Sequence, residues 1–149
     1  MEIRTVDRQE TMVIRLTASA SELPEVMGEA FGEVAKLMAE NNVQFAGPPF
    51  ALYHNMDMNA LDVEMGFPVA AGAVAAGRVT VSELPAGRVA SAVHTGQYSD
   101  LEKTYTALMA FVNEEGIRVH DWMYECYLNS PDEVPPDELK TEIFFPIAE

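Results

Sequence analysis

Hydrophobic residues along the chain follow two spacings, one typical of helices and one typical of strands. Between residues 24 and 41 they recur at positions 27, 31, 34 and 38, which is the spacing of one helix face. A second stretch of this kind covers residues 99–115, where Ser99 and Glu102 resemble a capping box and Gly116 is a stop signal. The sequence therefore predicts two amphipathic helices, the first with Pro24 in its opening turn.

Shorter apolar segments before and after these helices predict strands. The proline-rich segment 130–137 cannot be regular structure, and the alanine- and glycine-rich stretch 70–77 is typical of a connector. The predicted strands cover residues 3–6, 12–16, 49–55, 62–69, 79–84, 89–93, 122–129 and 141–147.

The two halves of the chain repeat one pattern at an offset of 74 residues. Residues 37–45 align with 111–119 and residues 50–55 align with 124–129, and in the preceding helical stretch Phe31 aligns with Tyr105. Each half, at about 70 residues, is small enough to be only marginally stable alone. The sequence therefore predicts one α+β domain over 1–149, built from strand-helix-strand-strand repeats of about 1–74 and 75–149. We expect pseudo-two-fold symmetry, an antiparallel sheet with two helices packed on one face, and a ligand groove between the halves.

Strand alternation predicts which side chains share a face of the sheet. We expect Trp122, Tyr124 and Cys126 to lie under the helices. The opposite, open face is predicted to collect aromatic rings and carboxylates, a combination that suits a flat cation. Tyrosine and glutamate are also common on solvent-facing strands, so alternation alone fits either interpretation. The residues assigned to the open face are Tyr53, Tyr127, Phe144, Glu64, Glu125 and Glu142.

Composition narrows the compartment and the partners. No apolar run approaches the roughly 18 residues needed to cross a bilayer. The N-terminus lacks a signal-peptide pattern and Cys126 is the only cysteine, so we expect a cytoplasmic location without a disulfide. Nine Lys and Arg against 24 Asp and Glu give a net charge of −15. That charge disfavours direct nucleic-acid binding and attracts cations, although solubility alone would also account for it.

Motifs for metal, phosphate or nucleophilic chemistry are missing from the sequence. His54, His94 and His120 are dispersed, and no Gly-x-Ser-x-Gly elbow occurs. Cys126 is expected to be a structural thiol and His94 to have a local structural role. We therefore expect no metal and no cofactor.

Two segments resemble signatures of a known family. Residues 91–101 resemble its His-x-Gly-x-Tyr-x-x-Leu signature through His94, Gly96, Tyr98 and Leu101. Residues 124–131 and 135–147 resemble its second signature, and 47–53 are a weaker twin of that second signature. On these residues the chain resembles the GyrI-like small-molecule-binding family, also called the bacterial transcription-activator effector-binding domain.

The resemblance implies a groove that binds lipophilic aromatic cations against an acidic residue, here Glu125 of the Tyr-Glu-x-Tyr motif. It also implies a free-standing member, because this chain has no room for the DNA-binding domain of the multidrug-sensing regulators. In this first hypothesis the partner is an amphipathic, cationic aromatic molecule, and we expect no membrane partner. The groove walls would be Tyr53, Tyr98, Tyr127, Trp122 and Phe144.

Two alternatives to a pure binding module stay open at this point. The resemblance also implies hydrolysis of reactive cyclopropane-bearing toxins, in which Glu125 and Glu142 would act as acid and base. The third hypothesis is a protein-interaction module, such as a modulator of DNA gyrase, with an acidic surface that mimics DNA charge.

Overall fold

The computed structural model describes residues 1–149, which form one eight-stranded sheet and two helices. Both predicted helices and all eight predicted strands are present, with ends shifted by a few residues. Neither helix is long and apolar enough to cross a membrane. The strands are β1 Glu2–Val6, β2 Gln9–Ala18, β3 Phe50–Tyr53, β4 Leu61–Pro68, β5 Val79–Leu84, β6 Gly87–Thr95, β7 Met123–Tyr127 and β8 Lys140–Pro146, and the helices are α1 Leu23–Glu40 and α2 Leu101–Glu114.

The strand order reflects the sequence repeat. All neighbouring strands are antiparallel, in the order β1-β6-β8-β7-β3-β4-β2-β5. The equivalent strands β3 and β7 therefore meet at the centre. Ala51 faces Glu125 directly, and their numbers differ by the repeat offset, 125 − 51 = 74. The pseudo-two-fold axis passes through this one pair of residues.

Two short links force the sheet to curl. Only Asp7 and Arg8 separate β1 from β2, although β1 is the first strand of the order and β2 the seventh. A flat sheet would hold those strands roughly 29 Å apart, whereas this link spans at most about 11 Å. The link between β5 and β6 imposes the same constraint from the other edge. At Gly66 the backbones of β4 and β2 approach so closely that a Cβ atom would run into the Met12 carbonyl oxygen.

The curl gives the sheet two different faces. The outer face carries α1 over β2 and β4 and α2 over β6, with the larger hydrophobic core beneath them. The inner face encloses a smaller core of eight residues that includes Leu84 of β5, Val89 of β6 and Phe50 of β3. The prediction of an open face opposite the helices was therefore wrong.

The ends of α2 fit the expectations only in part. A 3-10 turn at Tyr98–Asp100 precedes α2, and Ser99 makes no capping bond to the helix, so the predicted capping box is absent. The predicted stop at Gly116 is present with φ +67°. Its equivalent in the first repeat is Asn42, with φ 55°, so both helices end in the same left-handed turn.

Candidate ligand-binding site

A cavity of about 1070 Å³ opens on the helix-bearing face, between α2, the start of α1 and the central strands. Of its 20 lining residues, 14 are hydrophobic. This size and lining suit a drug-sized organic molecule. Glu102, Thr106, Met109 and Asn113 follow one stripe of α2 along the cavity.

The charged side chains on the cavity wall are all acidic. Its ionisable side chains include three carboxylates, those of Glu102, Asp121 and Glu125, and no lysine or arginine. Glu102 and Asp121 are exposed at the rim, whereas Glu125 is buried. When ionised, these groups give the cavity wall a negative charge that no lysine or arginine of the wall balances.

Glu125 is held by two tyrosines from different elements. Glu125 is only 5% exposed to solvent. The Tyr105 hydroxyl of α2 donates to Oε2, and the Tyr127 hydroxyl of β7 donates to Oε1 at 2.8 Å. Each carboxylate oxygen thus has one fixed donor, which orients the group towards the cavity.

The pKa values around Glu125 reflect its burial. Burial raises the pKa of the Glu125 carboxyl, and the hydrogen bonds from Tyr105 and Tyr127 oppose that rise. Burial and the nearby Glu125 charge in turn raise the pKa of Tyr53, Tyr105 and Tyr127. These phenols therefore stay protonated as hydrogen-bond donors.

Aromatic rings and thioethers form most of the remaining wall. Tyr53 lies beside Glu125 on the central strands, and Trp122 stacks between His120 at 5.8 Å and Tyr124 at 6.4 Å. Four methionines also line the cavity, and Met56 and Met58 are more than half exposed at its mouth. Methionine side chains are flexible and polarisable, so this wall can adapt to ligands of different shape. The four methionines are Met56, Met58, Met109 and Met123.

The structure brings only part of the predicted set to this cavity. Glu125, Tyr53 and Trp122 line it, and Tyr127 holds Glu125 from behind. Tyr98 packs edge-on against Tyr127, with the two ring centroids 6.2 Å apart, and it does not line the cavity.

Glu142 and Phe144 lie on the inner face of the sheet. The register of β7 and β8 pairs Glu125 with Ile143, so the neighbouring Glu142 and Phe144 point to the opposite side. Phe144 stacks on Tyr124 at 4.6 Å, and Glu142 accepts a bond from Arg4 at 2.9 Å. Glu125 and Glu142 therefore do not flank a common cavity.

The predicted face assignment was wrong for β3 and β7. Tyr53, Glu125 and Tyr127 lie under the helices rather than on the opposite face. Tyr124 and Cys126 belong to the inner core, where burial raises the pKa of the Cys126 thiol to about 12. Glu64 is also on the inner side, where it bonds His54.

His94 links the second repeat together away from the cavity. Its Nδ1 lies 2.7 Å from the Thr104 hydroxyl and its Nε2 lies 3.0 Å from the Gln97 carbonyl oxygen. It therefore ties the end of β6 to the start of α2. No group of three His, Cys, Asp or Glu side chains is arranged to bind a metal ion.

Sequence reasoning missed Tyr105 and the methionine wall. Tyr105 occupies an apolar position of α2 whose equivalent in α1 is Phe31. An added hydroxyl at a buried helix position needs a polar partner, and that was the available signal. Met56 and Met58 lie in a loop between β3 and β4, where no periodicity predicts that a side chain lines the cavity.

The sequence also matches a family model. The model of the GyrI-like small molecule binding domain covers residues 1–148 of the chain. The chain belongs to this family. No curated protein matches the sequence significantly. The GyrI-like assignment agrees with the eight-stranded curled sheet and its two helices.

Solved structures share the GyrI-like fold at low sequence identity. The EcmrR C-terminal domain matches with a TM-score of 0.87 and 21% identity, covering 99% of this chain and 96% of that domain. In the EcmrR–DNA complex the matched region is 57% of the longer EcmrR chain. SAV2435 bound to tetraphenylphosphonium matches with a TM-score of 0.67 and 9% identity over 99% of this chain and 93% of SAV2435. A hydrolase from Listeria innocua encoded by lin2189 matches with a TM-score of 0.66 and 14% identity over 99% of this chain and 91% of that protein.

Proposed function

We propose that this GyrI-like chain binds lipophilic aromatic cations in the cavity beside α2, with Glu125 as the counter-charge. One observation carries the proposal: a carboxylate that is 5% exposed reaches the wall of a largely apolar cavity that no lysine or arginine lines. The family supplies the coarser statement, small-molecule binding.

The energetics of a buried charge favour this ligand class. Burial makes the ionised form of Glu125 costly, which is why its pKa is raised. A bound cation compensates that charge in a medium of low dielectric constant. An anion or a neutral ligand of the same size lacks that gain.

The aromatic wall adds selectivity for flat or aryl-substituted cations. Tyr53 and Trp122 present rings to the cavity. A cation over such a ring gains about 0.5–2 kcal/mol, and aryl groups also bury apolar area. SAV2435, a neighbour in fold, is bound to tetraphenylphosphonium, which is a cation of this kind.

Two ions of equal size and opposite charge test the proposal. Isothermal titration would compare tetraphenylphosphonium with tetraphenylborate. Because separating a desolvated charge pair costs about 2–5 kcal/mol, we expect the cation to bind at least about 30-fold more tightly. Glu125→Gln should remove that preference.

Glu142→Gln is the matched control, since it makes the same chemical change on the inner face of the sheet. It should retain the preference for the cation. Equal affinities of the two ions for the wild-type protein, or an unchanged preference in Glu125→Gln, would overturn the proposal.

A further inference from the structure

We infer that the mouth of the cavity is an oxidation site: a peroxide converts Met56, Met58 and Met109 to sulfoxides, and the cavity then binds aryl ligands less tightly. All three residues line the cavity, and we call them the mouth methionines. The loss of affinity rests on the proposed function, whereas the selectivity of the oxidation rests only on the positions of the sulfur atoms.

The exposed methionines of this protein are concentrated at the cavity mouth. Met56 is 53% exposed, Met58 is 55% exposed and Met109 is 42% exposed. The fourth exposed methionine, Met1, is the N-terminal residue. An oxidant reaches exposed thioethers first, so its action falls on the mouth rather than on the core. The buried methionines are Met12, Met38, Met65 and Met123.

The only cysteine does not compete for the oxidant. Cys126 is buried in the inner core, and burial raises the pKa of its thiol to about 12. The thiolate is the form that oxidants attack, and this pKa keeps it scarce at neutral pH. The thioethers of the mouth methionines are therefore the more reactive sulfur sites.

The scaffold does not require methionine at these positions. At the repeat offset of 74, Met56 and Met58 correspond to Ser130 and Asp132. Met109 of α2 corresponds to the small Ala35 of α1. The mouth methionines are thus separate from the packing that the two halves share.

The loop that carries Met56 and Met58 is held through backbone groups. The Asn55 side chain bonds two backbone groups across this loop, each at 3.0 Å. The Ala20 N–H donates to the Met58 carbonyl oxygen at 2.8 Å. Because none of these bonds uses a methionine side chain, a sulfoxide changes the polarity of the mouth while the loop keeps its anchors.

The oxidation transfers one oxygen atom from hydrogen peroxide to a thioether. The sulfur lone pair forms the S–O bond as the O–O bond breaks, and the departing hydroxide takes the proton of the transferred hydroxyl and leaves as water. Sulfur loses two electrons and the peroxide gains them. Methionine sulfoxide reductases reverse this change, so the modification is reversible.

A sulfoxide at the mouth disfavours an aryl ligand. Its oxygen is a hydrogen-bond acceptor that is hydrated in the free protein. An aryl group that covers the mouth removes this water, and it also loses its contact with an apolar thioether. In tetraphenylphosphonium the four aryl groups enclose the phosphorus, so the sulfoxide oxygen gains little from the positive charge. Oxidation therefore lowers the affinity.

The test combines peptide mapping by mass spectrometry with calorimetric titration of tetraphenylphosphonium, before and after treatment of the full chain with hydrogen peroxide. In the wild-type protein, sulfoxides should form at the mouth methionines at least about fivefold faster than at the buried methionines. The dissociation constant should rise at least about tenfold once all three are oxidised, which is about 1.4 kcal/mol.

The triple variant Met56→Leu, Met58→Leu and Met109→Leu keeps apolar side chains of similar volume but has no sulfur at these three positions. Its affinity, whatever the starting value, should change less than about twofold on peroxide treatment. Met27→Leu is the control, since it removes a half-buried thioether of α1 outside the cavity. This control should lose affinity on treatment as the wild type does.

Three results would overturn the inference while the proposed function stands. They are oxidation of the buried methionines as fast as of the mouth methionines, full oxidation of the mouth with an unchanged wild-type affinity, and an equal loss of affinity in the triple variant. If the untreated wild-type protein does not bind tetraphenylphosphonium, the proposed function falls and the expected loss of affinity falls with it. The peptide map then still decides the selectivity of the oxidation.

Discussion

The two sides of the pseudo-two-fold axis share one scaffold but differ in how their side chains pack. On the α2 side Tyr105 and Glu125 border an open cavity, whereas on the α1 side the equivalent positions are Phe31 and Ala51. One ring pair persists on both sides, with centroids 6.0 Å apart for Tyr105 and Phe145 and 5.7 Å apart for Phe31 and Phe67. The same ring packing is present in both repeats, but only the second repeat has a buried carboxylate at the central position, where the first has Ala51.

Aromatic rings occupy the α1 side. Phe45 lies 4.8 Å from Phe67, and Phe31 lies 6.2 Å from Tyr127, whose ring in turn contacts Tyr98. We call these five rings the α1-side aromatic row. On the α2 side the position of Phe45 is taken by the smaller Val119, which lines the cavity. The difference teaches that a cavity can arise in a repeat protein when one repeat has a smaller side chain where the other has an aromatic ring.

The largest expected effect is a loss of stability when the two residues at the pseudo-two-fold axis, Ala51 and Glu125, are made identical. Ala51→Glu would place a second buried carboxylate directly opposite Glu125. Two adjacent desolvated like charges should lower the free energy of unfolding by about 3 kcal/mol or more at pH 8. Urea unfolding would measure this, with Ala51→Gln as the control of equal size. The charge explanation fails if the two variants are equally destabilised.

A smaller effect should follow from filling the cavity. Ala110→Trp places a large ring on the cavity wall of α2, and Lys36→Trp makes the equivalent change on α1. The first should weaken tetraphenylphosphonium binding about 30-fold or more, because the ring occupies the space of a ligand aryl group. The second should change the affinity less than about twofold. Comparable losses in both variants would place the ligand elsewhere.

As the pH rises, the contribution of Glu125 to folding stability should fall while the affinity for a cation should increase. The raised pKa of Glu125 means that the folded state binds this proton more tightly than the unfolded state does. The stability from this group is fully present below its unfolded pKa and is lost as the pH rises through its folded pKa. Each unit by which folding raises the pKa of Glu125 corresponds to about 1.4 kcal/mol of stability.

Glu125→Gln isolates this contribution. Urea unfolding between about pH 4 and pH 8 should show the variant gaining stability relative to the wild type as the pH rises. Over the same range the wild-type affinity for tetraphenylphosphonium should increase, since Glu125 becomes ionised. A stability difference that stays constant with pH would argue against a strained, buried charge.

The smallest effect is expected at the exposed end of the α1-side aromatic row. Phe45 is 56% exposed, so Phe45→Ala should cost less than about 1.5 kcal/mol in unfolding free energy. The affinity for tetraphenylphosphonium should stay within about twofold of the wild type. A large loss of affinity would mean that the row binds ligand, and the contrast between the two sides would disappear.

Periodicity predicted the elements well because their faces differ in polarity. The apolar stripe of α1 that contains Phe31 and Met38 lies opposite exposed positions of the same helix. The prolines of segment 130–137 lie outside the strands, between β7 and β8. The repeat then placed β3 and β7 as equivalent strands, and the structure pairs them at the centre.

Alternation failed where both faces of a strand are buried. All four residues of β3 are buried, and so are the first four of β7, so hydrophobicity carries no contrast between the faces. An error of one residue in orientation exchanges every side chain between faces. That error grouped Glu142 with Glu125, and it hid the contact between Tyr105 and Glu125 because α2 was assigned to the other side.

A crystal structure of the complex with tetraphenylphosphonium tests the central claim most directly. The cation should lie in the cavity between α2 and β7, with its phosphorus facing Glu125 and its aryl groups against Tyr53 and Trp122. Tyr105 and Tyr127 should still donate to the carboxylate. A cation bound on the α1 side, on the inner face of the sheet, or in the cavity but away from Glu125 would contradict the account.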